Sequence, residues 1–374
     1  MRRIIGLIVS LLRELRLASG GSVAVLASAL IAASGPAGAE TIFVQDSRGN
    51  TIQIERPVAS VAIFPLPIPE AMIALDGGTQ RMTAINPRAK VTLMNGVMGE
   101  LFPEIADIST DLVAGNFVPN VEEILRVNPH VVLQWQTNAG VRVAPMENAG
   151  VTVATVSTAD RETRRGYITM MGAILGKEAR AQSFLDWDDA VIAEIDEKLK
   201  SAPYVPKPRV AFIDSLDGNE FILFGQQELY FDAGGLSNAA TEAGHTDGSV
   251  KVGAESILTW DPDIILVNYY NDAITPEDIL AHPVLAALDA VKSGRVYKTP
   301  AIDPATAAGG ELVYLWFAKI GYPDLFDTDL RQATLDGFQF LYGKQLTPAQ
   351  IDRLLNMAWN KDSAGYMEWF GQSQ

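Results

Sequence analysis

The sequence predicts an α/β protein: two doubly wound lobes with mainly parallel sheets, joined by one long α-helix and followed by a helical C-terminal tail. Three observations predict it: a helix–proline–strand unit that occurs twice, apolar runs alternating with helical segments in each half, and a span free of Gly and Pro between the halves. The two units are Glu122-Glu123-Ile124-Leu125-Arg126-Val127-Asn128-Pro129-His130-Val131-Val132-Leu133 and Glu255-Ser256-Ile257-Leu258-Thr259-Trp260-Asp261-Pro262-Asp263-Ile264-Ile265-Leu266. Glu, Ile, Leu, Pro and the final Leu share one register, 133 residues apart. Each copy reads as a short helix, a proline that ends it, and an apolar β-branched run suited to a strand buried on both faces. A solenoid needs several copies at roughly 20 to 50 residues, so two distant copies indicate two similar lobes.

Taken in order, a hairpin is expected at Thr41 to Ile54, where Asp46-Ser47-Arg48-Gly49-Asn50 supplies turn residues between two alternating runs. In the first lobe, residues 40–160, strands at Val58 to Phe64, Met82 to Ile85, Val131 to Trp135 and Val151 to Val156 alternate with helices at Pro69 to Leu75, Gly96 to Phe102, Val121 to Val127 and Val143 to Asn148. Such alternation builds parallel sheets. Residues 161–202 form a connecting helical segment. From Lys177 to Ser201 there is no Gly or Pro, and Ala181, Phe184, Leu185, Ala190, Ile192, Ile195 and Leu199 recur at helical spacing. About 25 helical residues span ~37 Å, enough to cross a domain; the alternative is an ordinary surface helix within one domain. In the second lobe, residues 203–326, strands at Arg209 to Asp214, Ile264 to Asn268 and Arg295 to Lys298 alternate with helices near Glu228 to Asp232, Glu255 to Thr259 and Pro276 to Ala287. The tail, residues 327–374, has helix starts at Asp327-Thr328-Asp329 and Thr347-Pro348 and is expected to pack on the C-terminal lobe.

Composition narrows the function. Of 374 residues, 48% are hydrophobic and 20% charged, which suffices for a sizeable core. A net charge of −16 argues against nonspecific binding to nucleic acid or an anionic membrane. The absence of cysteine removes disulfides, thiolate zinc sites, iron–sulfur clusters, cysteine nucleophiles and lipoprotein acylation. At the N-terminus, Arg2, Arg3, Arg13 and Arg16 precede an apolar stretch from Ser22 to Ala33 and the small residues Gly35-Pro36-Ala37-Gly38-Ala39. This is the pattern of a signal peptide over residues 1–39, cleaved after Ala39, and the apolar run is shorter than the ~20 residues of a spanning helix. Arg2-Arg3 leaves open whether export takes the general or the twin-arginine route. Cleavage removes four Arg and one Glu, so the mature chain, expected in the periplasm without membrane insertion, carries a net charge of −19.

The segments "DSRGNTIQIERPVASVAIF", "PEAMIALDGG", "NVEEILRVNPHVVLQW", "GAILGKEARAQ", "AESILTWDPDIILV", "HPVLAALDAVKSGRVYKTP" and "YLWFAKIGYPDLF" follow one another in family order. Together they resemble the periplasmic substrate-binding proteins of ABC importers for ferric siderophores, haem and cobalamin. The resemblance covers nearly all of residues 41 to 326. It implies two lobes on one long helix, a ligand cleft between them, little hinge closure, and partners consisting of a metal chelate and an importer permease with its cytoplasmic ATPase. The expected form is a monomer with no cofactor of its own. The chain departs from the family pattern at His130, where Asp is usual, as Asp263 is in the second copy; the expected role is capping. In the family, one surface glutamate per lobe docks on arginines of the permease, and Glu122 and Glu255 match those positions. The alternative is that both merely complement a helix dipole.

In open α/β sheets ligands meet the loops at the carboxyl ends of strands, which here nominate Phe64, Asn86, Arg88, Trp135, Asp214, Tyr269 and Tyr270. Trp135 and Tyr269 or Tyr270 end or follow the two repeated strands, and their rings suit a bulky chelate, although ordinary lobe packing would use the same residues. Arg88 is the candidate for a ligand oxygen. The only histidines, His130, His245 and His282, fall in no metal-binding spacing, so no bare-metal site is expected, while a tyrosine ligand to haem iron stays open. A secreted hydrolase using Ser215, His245 and Asp214 is disfavoured because no G-x-S-x-G elbow occurs. The expected function is capture of a metal chelate, first a ferric siderophore, then haem, cobalamin or molybdate, for delivery to an ABC importer. A ligand-sensing partner of a signalling receptor would share the fold.

Overall fold

The structure, a computed structural model, describes residues 40–202, 206–225, 228–246, 248–271, 273–303 and 309–371. The expected signal peptide lies outside the described residues. Among those residues no helix is long and apolar enough to cross a membrane.

The chain opens with the expected hairpin, β1 (Glu40–Gln45) against β2 (Thr51–Arg56). Its turn is held by Asp46, whose Oδ1 accepts the amides of Arg48 at 3.0 Å and Asn50 at 2.9 Å, an Asx arrangement that short acidic side chains favour. The other carboxylate oxygen accepts the Thr155 hydroxyl at 2.7 Å, which fastens the hairpin to the neighbouring sheet. That sheet is fully parallel, in the order β4 (Met82–Ile85), β3 (Val61–Ile63), β5 (Val131–Trp135), β6 (Val153–Val156). Between its strands lie α1 (Ile68–Asp76), α2 (Pro87–Asn95) and α3 (Val121–Val127). Helix α2 was not among the expected elements. Pro87 at its first position and Asn86 as its cap start it, so Arg88 sits in a helical first turn rather than a loop.

Two helices then leave the first sheet. Helix α4 (Arg161–Leu175) starts with a capping box between Asp160 and Thr163 and ends at Gly176, whose φ of 66° is the left-handed conformation that glycine adopts without strain. Helix α5 (Glu178–Ser201) runs unbroken through most of the Gly- and Pro-free span, 24 residues or ~36 Å long. The two pack so closely that a Cβ on Gly172 would come within 2.5 Å of the Ala181 Cβ, so only glycine fits there. The buried face of α5 is Ala181, Phe184, Leu185, Asp188, Val191 and Ile195. Asp188 replaces the expected Ala190 on that face because it pairs with Arg164 of α4 and, at 3.0 Å, with Arg161.

The second sheet is mixed, which departs from the parallel pattern of the first. Its order is β10 (Ser249–Val252), β8 (Glu220–Phe224), β7 (Arg209–Asp217), β11 (Ile264–Val267), β12 (Val296–Lys298), and the two-residue β9 (Ser237–Asn238) also pairs with β7. β7, β11 and β12 are parallel, whereas β8 and β10 are antiparallel additions. The cause is local: β7 continues past Asp214 to Asp217 and turns back through Gly218 at a φ of 64°. An Asp-Gly pair between apolar runs is a hairpin signal, and it makes 215–224 sheet rather than ligand loop.

The duplicated unit folds the same way twice. α3 and α6 (Ala254–Trp260) end at left-handed Asn128 and Asp261, each followed by a proline, and lead into central buried strands β5 and β11. His130 and Asp263 then each clip the strand start to a neighbour. His130 Nδ1 lies 2.8 Å from the Ser60 hydroxyl, and an Asp263 carboxylate oxygen accepts the Arg209 amide at 2.8 Å.

After α7 (Gly310–Gly321), the tail forms α8 (Leu330–Tyr342) and α9 (Pro348–Leu354), capped by Asp329 and Thr347 at the expected starts. Tail residues meet the second sheet, where the Asn360 side chain bonds both backbone groups of Lys298. They also reach the first half: Arg353 pairs with Glu100 at 2.6 Å, and Phe102 packs edge-on against Tyr342. One cluster of buried apolar side chains runs through both halves, including Val44, Ile63, Phe184, Leu266, Trp316 and Phe370.

Candidate functional site

A cavity of about 820 Å³ lies where the loops after β3, β5 and β6 and the start of α2 meet residues of β7, β8 and α7 and the loops after β11 and β12. This volume falls within the usual range for sites that enclose small molecules. Five of the seven nominated residues line it: Arg88, Trp135, Asp214, Tyr269 and Tyr270.

Two do not. Phe64 has no exposed surface and packs with Ala62, Ala84 and Val132 in the core behind β3; Leu66 and Pro67, two and three residues on, reach the cavity instead. Asn86, also fully buried, accepts the Arg88 amide at 2.9 Å and donates to the Ala114 carbonyl at 3.3 Å. It therefore positions α2, and with it Arg88, without touching the cavity.

The remaining side chains are held by their neighbours. Asn268 donates to one Asp214 carboxylate oxygen at 2.8 Å and the Ser215 hydroxyl to the other at 3.3 Å. The Asn268 side-chain oxygen in turn accepts the Tyr270 amide at 3.3 Å. The Tyr269 and Tyr270 rings stack with centroids 4.1 Å apart, and the Tyr270 hydroxyl donates to Asp303 at 2.9 Å. Burial, reinforced by Tyr270 and the charge of Asp303, pushes the half-buried Tyr269 phenol well above its usual range, and Tyr270, 40% exposed, is raised in the same direction with water sharing the effect.

Three further residues at or beside the cavity were not nominated from the sequence. Tyr230 comes from a short helix, Glu228–Ala233, and its hydroxyl donates to the Thr158 carbonyl at 3.1 Å, joining the two halves at the cavity wall. Asp303 follows β12 and was reachable by the rule that nominated Tyr269. Glu70 of α1 lies beside Tyr270 in a small adjoining recess, and burial together with the Asp303 charge pushes its carboxyl up to about 8.

Glu122 and Glu255 are exposed in the first turns of α3 and α6, and neither lines the cavity. The histidines are likewise elsewhere: His130 on Ser60, His245 beside the Trp260 ring, His282 beside Phe221. The Ser215 hydroxyl donates to Asp214, and among the described residues no histidine accepts from it, so no nucleophile–base pair forms there. Among the described residues no group of three or more His, Asp or Glu is arranged to hold a metal ion.

Residues 115–302 match the family model described as periplasmic binding protein, which is half of the chain. A search of curated protein sequences finds no match. Among solved structures, the chain is similar to a periplasmic solute-binding protein from Veillonella parvula, at 26% identity and a TM-score of 0.75, covering 86% of this chain and 99% of that one. It is also similar in fold to CeuE of Helicobacter pylori, solved with nickel and histidine, at 20% identity and a TM-score of 0.70 over 84% of this chain and 99% of that one. A third similar fold is MolA of Haemophilus influenzae, solved with molybdate, at 18% identity and a TM-score of 0.69 over 82% and 99%. The chain thus belongs to the periplasmic binding protein family, exported proteins that bind solutes for ABC transporters and are not enzymes.

Proposed function

We propose that the protein captures a metal chelate, first of all a ferric siderophore, in the periplasm and delivers it to the permease and ATPase of an ABC importer. The observation that carries this reading is the cavity itself: about 820 Å³, walled by Trp135 and the stacked Tyr269–Tyr270 pair and containing Arg88. Flat amphipathic rings offer apolar area and a polar edge to a bulky ligand. Structures of similar fold were solved with nickel and histidine and with molybdate, and another is a haem-binding protein, HmuT, which supports a metal-centred solute. The phenol hydroxyls can hydrogen-bond to a chelate's oxygens.

The same reading assigns residues 1–39 to a signal peptide, 40–160 and 203–326 to the two lobes, 161–202 to their connection and 327–374 to the tail. Glu122 and Glu255 are its docking residues. The test is ligand titration monitored by tryptophan fluorescence. Trp135→Ala, or joint replacement of Tyr269 and Tyr270 by Ala, should weaken binding of a ferric siderophore by ~1 to 3 kcal/mol per ring. Unchanged affinity in these variants would refute the cleft assignment, and failure of every ferric chelate to bind the parent would refute the ligand class.

A further inference from the structure

Arg88 is the one basic residue that lines the cavity among the described residues, and two carboxylates, Asp214 and Asp303, line it as well. Residues 226–227, 272 and 304–308, which lie outside the described residues and near the lining in sequence, include no Lys or Arg. Two neighbouring cations, Arg142 and Lys298, do not line it, although Arg142 bonds to lining residue Thr137. Arg142 donates to the Thr137 hydroxyl at 2.9 Å and stacks over the Phe117 ring, and Lys298 donates to the Asn271 carbonyl at 2.8 Å and lies over the Trp359 ring.

The other usual source of positive potential is a helix N-terminus; α1, whose preceding Pro67 lines the cavity, has no side-chain cap but carries Glu70 in its first turn, and two further N-termini that border the cavity are occupied by the chain. At α2, Pro87 has no N–H and Asn86 takes the Arg88 amide. At α4, which follows the lining residues Ser157 to Ala159, Asp160 takes the Thr163 amide at 2.7 Å and brings a negative charge of its own. Anion sites depend on free amides and the positive end of the dipole, and the α2 and α4 ends are self-capped. A polyanion entering this cavity would give up its hydration to meet one guanidinium and two carboxylates, which is unfavourable in a partly enclosed site.

We propose, resting on the metal-chelate reading above, that the cleft selects a neutral or cationic chelate and discriminates against polyanionic chelates and oxyanions, with Asp214 and Asp303 as the discriminating residues. The tyrosine pair contacts the ligand whatever its charge; the two carboxylates set the charge it must have.

The experiment titrates the full mature protein with four probes: a monocationic linear ferric trihydroxamate, a neutral cyclic ferric trihydroxamate, a trianionic ferric tris-catecholate, and molybdate. The first two should bind about a hundredfold or more tighter than the last two at low salt. Asp214→Asn with Asp303→Asn should narrow that gap about tenfold or more. Raising salt should narrow it in the unmodified protein too, which supplies the answer if the double variant does not fold. Tightest binding of the tris-catecholate or molybdate by the parent would overturn the charge selection. So would a gap that neither salt nor the substitutions move. If none of the three ferric complexes binds, the chelate reading falls and this inference with it.

Discussion

Replacing Glu70 with Gln should leave stability nearly unchanged at about pH 4.5 and raise it at pH 8. Glu70 stands in α1 beside Leu66, Pro67 and Tyr270, and burial with the Asp303 charge pushes its carboxyl from an ordinary 4.5 up to about 8. Between those two values the folded chain keeps a proton that the unfolded chain has released. Ionisation then favours the unfolded state, so stability falls as pH rises from 4.5 and levels off above 8. At about 1.36 kcal/mol for each of ~3.5 pH units, the largest possible loss is about 5 kcal/mol. Glu70 is only partly buried, so water shares its charge, and an expected loss of about 2 kcal/mol is the better figure. Gln keeps the shape and cannot ionise, which removes the loss. Urea unfolding followed by tryptophan fluorescence, at about pH 4.5, 6 and 8, should show the two proteins diverging with pH until the variant leads by about 2 kcal/mol. A residual slope should remain in the variant, because fully buried Glu311 is also raised by burial despite the nearby Arg164. Parallel pH profiles for parent and variant would refute the argument that Glu70 is held protonated.

The docking proposal predicts that Glu122→Arg and Glu255→Arg each bind ligand normally, since neither side chain lines the cavity, yet fail to support uptake in proteoliposomes containing the permease. Reversing a charge that faces a desolvated arginine costs ~2 to 5 kcal/mol, so normal transport by the double variant would leave these glutamates as helix-start residues only. Protein recovered from the periplasm should have an intact mass beginning at Glu40; a membrane-retained species that keeps residues 1–39 would rule out cleavage after Ala39.

The sequence by itself determined what depends on neighbours along the chain. Alternating apolar runs, the 24-residue Gly- and Pro-free helix and the duplicated helix–proline–strand unit are all short-range patterns, and each folds where its residues indicate. Even so, two local signals were there to be used: Asn86-Pro87 starts α2, and Asp217-Gly218 turns β7 back into β8. The tertiary structure alone decided which strand-end residues face the cavity. Parity and depth send Phe64 into the core and leave Leu66 and Pro67 at the wall. Tyr230 reaches Thr158 across 72 positions of sequence, and Tyr270 reaches Asp303 across 33. Arg88 meets Asp214 and Asp303 around one cavity only because two separate sheets present their loops to it. Secondary structure follows from backbone sterics and side-chain periodicity over a few residues, whereas a cleft's charge and shape follow from packing between elements whose separation along the chain carries no distance information.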